Sequence, residues 1–109
     1  MTLATQRRER ATALATPTDL FIDGGFVPAA SGAAFDTVDP ATGLTIASVA
    51  RGADEDVDRA VVAARRAFDS GVWSRCAPGE RKRVPLRIAD ALEARVEEFA
   101  LLESLDGGK

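Results

Sequence analysis

With 109 residues, 46% of them apolar, the sequence has the length and composition of a single globular domain and is not disordered throughout. The net charge of −3, with acids and bases interspersed, argues against a nucleic-acid binder, which gathers a basic excess on one face. The longest apolar runs, such as Phe99-Ala100-Leu101-Leu102, fall far short of the roughly 20 residues that cross a bilayer.

Only 6% of the residues are aromatic, with no Tyr and one Trp, and much of the apolar content is Ala. Alanine buries little surface, so the core this chain builds alone is expected to be thin. The one cysteine forms no internal disulfide and fits a reducing compartment, so the expected address is the cytoplasm.

Residues 1–18 are expected to be a disordered leader ending near Pro17. Arg7, Arg8 and Arg10 among Ala and Thr have the flavour of a transit peptide, but Glu9 interrupts them and no apolar stretch of signal-peptide length follows. Leu20-Phe21-Ile22, then Asp23-Gly24-Gly25, then Phe26-Val27 predicts a tight β-hairpin, because the central residues tolerate positive φ. Phe35 to Asp39 alternates as a half-buried strand does. Pro40-Ala41-Thr42-Gly43 is a turn, and Leu44 to Val49 is a strand that pairs back as a second hairpin.

From Asp54 the period lengthens. Val57, Val61, Ala64 and Phe68 share one helix face, and such a stripe is expected to pack in a core. Asp54 is the expected N-cap, Glu55 and Asp56 suit the positive end of the helix dipole, and Gly71 follows the helix. A second helix starts near Pro78, with Val84, Ile88, Ala91 and Leu92 on its apolar face. A third carries Val96, Phe99, Leu102 and Leu105 and ends at Gly107-Gly108. The expected fold is therefore α+β, two β-hairpins followed by about three helices.

Little catalytic chemistry is present. There is no His, which removes Ser-His and Cys-His pairs and histidine metal sites. Neither Gly24-Gly25 nor Gly107-Gly108 has the spacing of a dinucleotide-binding turn or a P-loop. Cys76 follows Arg75 and precedes a helix start, both of which favour a thiolate. No base or oxyanion donor stands near it in sequence, so it reads as a small packed residue.

Taken in order, the residues resemble the amino-terminal part of the NAD(P)-dependent aldehyde dehydrogenases. The match runs through Leu20-Phe21-Ile22-Asp23-Gly24-Gly25-Phe26-Val27, Val38-Asp39-Pro40-Ala41-Thr42-Gly43 and Asp56-Val57-Asp58-Arg59-Ala60-Val61. It continues through Trp73-Ser74, Glu80-Arg81, Ala89-Asp90-Ala91-Leu92 and Leu101-Leu102-Glu103-Ser104-Leu105-Asp106-Gly107-Gly108-Lys109. Phe68-Asp69-Ser70-Gly71-Val72-Trp73-Ser74-Arg75 is similar to members acting on γ-glutamyl-γ-aminobutyraldehyde or betaine aldehyde.

The resemblance implies that residues 19–109 are the first, incomplete part of the family's α/β cofactor-binding domain. It implies oxidation of a small aldehyde with NAD or NADP by a full-length, homo-oligomeric enzyme, with the remainder of that polypeptide as this segment's partner. The catalytic cysteine, the glutamate that activates water and the cofactor-binding units of the family lie later in its chain, and Cys76 does not align with the catalytic cysteine. No catalytic or cofactor-binding residue is therefore assigned here, and the segment alone is expected to be inactive.

A monovalent cation is the one site the resemblance implies. It is held by main-chain oxygens at positions matching Thr37 and Val38 and by the carboxylate matching Asp106. Hard cations take such oxygen ligands, and a carboxylate at a helix C-terminus needs an offset worth roughly 0.3–1 kcal/mol. Pro85, inside the second helix, and Gly107 depart from the family pattern. Those departures point to one alternative, a remnant without function; a non-catalytic helical interaction module is the other.

Overall fold

The computed structural model describes residues 1–14 and 16–109. In chain order it has helix α1 (Leu3–Thr12), strands β1 (Leu20–Ile22), β2 (Gly25–Val27), β3 (Ala34–Val38) and β4 (Thr45–Ala50), and helices α2 (Asp54–Ser70), α3 (Pro78–Ala94) and α4 (Val96–Asp106). The two sheets are separate antiparallel hairpins, β1 with β2 and β3 with β4.

The first element departs from the expected leader. Thr2 caps α1, its hydroxyl accepting from the Thr5 N–H at 3.2 Å. Arg7 Nη1 then donates to the Lys109 carbonyl at 2.6 Å and Arg8 Nη2 to the Thr45 carbonyl at 2.9 Å. These long-range bonds dock α1 beside α4 and β4, an ordering that local sequence does not announce. Residue 15 of the expected leader lies outside the described residues.

The hairpins follow their turn residues. Asp23 and Gly24 both take positive φ, 55° and 77°, as a two-residue turn matching the twist of the strands requires. Phe21 and Phe26 face each other across that hairpin, edge to face at 5.1 Å. In the second hairpin Thr37 pairs with Ala47 and Val38 with Thr45, so a bulge falls between Thr37 and Val38. Buried Asp39 closes its turn, accepting from the Ala41 N–H at 2.9 Å and the Thr42 hydroxyl at 3.0 Å.

Helix α2 starts one residue away from expectation. Its N-cap is Ala53 and Asp54 is its first helical residue, because Asp56 reaches back to accept from the Ala53 N–H at 3.0 Å. Gly71 ends the helix at φ 75°, and Arg75 Nη2 caps the freed carbonyls of Asp69 and Ser70 at 3.3 and 2.9 Å. Helix α3 begins on Pro78 and runs unbroken through Pro85. Arg95 separates it from α4, whose end places Gly107 at φ −86° and Gly108 at +69°. Gly108 is thus the residue that needs left-handed freedom, and Gly107 is not.

The apolar faces exist, but this chain leaves them uncovered. Ala29 and Leu105 are the buried apolar residues among those described, at 4% and 6% exposure. The radius of gyration is 17.6 Å, against about 13 Å for a compact chain of this length. On α2, Val57, Val61 and Phe68 are exposed at 59%, 61% and 61%. The expected core packing of that stripe is therefore not met, because α2 meets the rest of the chain through another face. Buried Asp56 holds the Ala30 N–H, and Arg66 pairs with Asp23 at 2.6 Å.

Candidate functional site

The residues proposed for a cation lie at the second hairpin and the end of α4. Thr37 and Asp106 line the same groove between β4 and α4, together with Ile46, Ala47 and Leu105. The Thr37 hydroxyl donates to the Ala47 carbonyl at 3.3 Å, which leaves its main chain as the source of a ligand oxygen. Val38 sits at the bulge, 47% exposed, and is not part of the groove lining. Asp106 is exposed, and among the described residues no ion pair engages its carboxylate. No group of three or more His, Cys, Asp or Glu is placed to hold a metal among the described residues. A cation here would thus depend on main-chain oxygens of β3, where Thr37 and Val38 both keep strand partners and the unpaired residue is Ile46 of β4.

Cys76 is half-buried in the α2–α3 connection, beside Val72, Trp73, Glu80, Val84 and Arg87. Its sequence neighbour Arg75 is committed to the carbonyls at the end of α2. Arg75 is a helix cap in this structure, and its charge is occupied there.

Asp56, expected only as an acid suited to the helix dipole, is a buried, multiply bonded group. Its side chain is 3% exposed, yet it accepts from the Ala30 and Ala53 N–H groups, both at 3.0 Å, and from Arg59 Nη2 at 2.5 Å. The Ala53 and Ala30 amides, then the Arg59 guanidinium, hold its carboxyl below the ordinary carboxylate range, and burial opposes them only in part. The available signal was an acid at the third helical position, the place from which a side chain reaches back to the N-cap. Three acids in a row hid which one folds back.

With this geometry in hand, the likeness to known proteins can be placed on it. The model of the aldehyde dehydrogenase family matches residues 26–109. The NADP/NAD-dependent aldehyde dehydrogenase PuuC of Escherichia coli is 47% identical over 102 residues, taking in 94% of this chain and 21% of its own. A crystal structure of indole-3-acetaldehyde dehydrogenase in apo form superposes with a TM-score of 0.89 at 45% identity, over 100% of this chain and 25% of that one. The γ-glutamyl-γ-aminobutyraldehyde dehydrogenase of Burkholderia cenocepacia gives a TM-score of 0.87 at 43% identity, over 97% and 21%. The chain spans about a fifth to a quarter of the length of these relatives. The shared backbone thus takes in both hairpins and the helices that follow them. This chain belongs to the aldehyde dehydrogenase family.

Proposed function

We propose that this chain is the N-terminal segment of a cytoplasmic oxidoreductase that converts an aldehyde to a carboxylic acid with NAD or NADP. Residues 19–109 form the first part of its domain, and the whole enzyme is a homo-oligomer. The observation that carries the reading is the family match over residues 26–109 on a backbone shared at a TM-score of 0.89. The substrate class is an amino-substituted aldehyde, of the γ-glutamyl-γ-aminobutyraldehyde or betaine aldehyde kind. This rests on the Phe68 to Arg75 stretch and on the name of the Burkholderia relative.

The segment's own residues position and support; none reacts with substrate. Asp56 and Asp39 fasten the hairpins to α2 and to their own turn, and the helices present apolar faces to the remaining polypeptide. The reaction consumes one aldehyde, one water and one oxidised nicotinamide, and yields acid, reduced nicotinamide and a proton. Two assays test the reading. A polypeptide carrying this segment in frame with the rest of the enzyme should reduce NAD or NADP when given such an aldehyde. The 109-residue chain alone should do neither that nor bind NAD in a calorimetric titration. Turnover by the isolated chain, or none by the whole enzyme with any aldehyde, contradicts it.

Thr37, Val38 and Asp106 fit a monovalent cation by donor chemistry, two main-chain oxygens and one carboxylate. The whole enzyme should therefore melt higher in potassium or sodium chloride than in choline chloride of equal ionic strength. Asp106→Asn should remove that difference, and an unchanged difference contradicts the cation assignment.

A further inference from the structure

We propose that the exposed ridge of α2 formed by Val57, Val61, Ala64 and Phe68 is the docking surface for the remaining four fifths of an aldehyde dehydrogenase polypeptide, and that this preformed segment takes up that polypeptide even when the two are separate chains. The proposal rests on the functional reading above and names the surface through which it operates.

Helix α2 is oriented with its apolar stripe away from the rest of the chain. Asp56 and Arg66 bond to the first hairpin and the loop after it, and Ala63 between them is half-buried. At 3.6 residues per turn, the ridge points about 140° away from these three positions. A surface helix ordinarily turns its apolar stripe toward its own core and its polar face to water. Here the polar face is held against the chain and the ridge stands in solvent, with Val57, Val61 and Phe68 at 59%, 61% and 61% exposure.

The exposed area selects the occupant. The accessible surface is 8215 Å², whereas a self-contained protein of 11.5 kDa exposes about 5,800 Å². The excess, about 2,400 Å², is roughly three times what one partner gives up in an interface of standard size. A bound peptide, or a second copy joined through a standard interface, would cover about a third of it. A polypeptide some four times longer than this chain, the share missing relative to the Escherichia coli relative, is large enough to cover the rest.

The test co-expresses tagged residues 1–109 with the Escherichia coli relative deprived of the segment that this chain matches. Affinity purification and sedimentation should give a complex holding the two chains in equal numbers. Val61→Glu should reduce recovery of the partner by about tenfold or more, since it would bury an unpaired carboxylate. Val62→Glu, an equally exposed valine (62%) off the ridge, should leave recovery unchanged. Because Val61 is exposed in the free chain, its variant should keep the helical circular dichroism of the parent, which separates lost docking from lost folding.

The proposal is overturned if the partner stays alone or insoluble beside the parent chain, or if both glutamate variants behave alike. It is also overturned if the isolated chain self-associates and Val61→Glu makes it monomeric, since a second copy would then own the ridge. A ridge-dependent complex that forms but reduces no nicotinamide supports the docking surface and refutes the functional reading.

Discussion

Asp56 joins three pieces of backbone that are distant in sequence or in conformation: the loop after the first hairpin, the start of α2 and, through Arg59, the next turn of that helix. Its carboxyl sits below the ordinary range because the Ala53 and Ala30 amides and Arg59 favour the charged form. A depressed folded value means that the unfolded chain takes up the proton first. The stabilisation is therefore complete above the ordinary carboxylate range, near pH 4, and is lost as pH falls through the lowered value. Asp56→Asn should lower stability at neutral pH and remove part of the acid-induced loss. Urea melts of both proteins at neutral pH and at about pH 3 check this, and parallel pH profiles would rule it out. Sequence reasoning could place Asp56 at the helix start but not single it out from Asp54 and Glu55. What distinguishes it is the position of Ala30, 26 residues away, which only the fold supplies.

Among the elements, those legible in the sequence carry a local cause. The Asp23-Gly24 turn, the Pro40 to Gly43 turn, the four-three-four spacing on α2 and Pro78 at the head of α3 each specify geometry within a few residues. Helix α1 lacks such a cause: it has charges on several faces and no apolar stripe, and it is held by Arg7 and Arg8 to backbone about 102 and 37 residues away. The bulge of β4 at Ile46, opposite Thr37 and Val38, was equally hidden, because register depends on the partner strand. Pro85 is the clearest conflict between local preference and fold, since α3 continues through it without the bond from residue 85 to the Arg81 carbonyl. Pro85→Ala should therefore stabilise α3, by up to about 3 kcal/mol. Amide exchange across residues 82–90 reports it directly, and unchanged protection would show that the proline costs nothing in this setting.

At the scale of the molecule, the thin core was readable from an alanine-rich composition with few aromatics. Which faces would remain uncovered was not, because periodicity shows that residues share a face without showing what that face meets. The proposed cation ligands come only from the family resemblance; residue type alone does not relate Thr37 to Asp106, which line one groove with residues of β4 and α4.

A chain whose apolar faces are proposed to be covered by the remaining polypeptide should hold together weakly by itself. Thermal unfolding of the isolated 109 residues, followed by circular dichroism, measures this. With Ala29 and Leu105 the buried apolar residues among those described, the expected result is a broad, shallow loss of helix beginning at low temperature. A sharp, cooperative transition at about 60 °C or above, the behaviour of a self-sufficient domain, would contradict it.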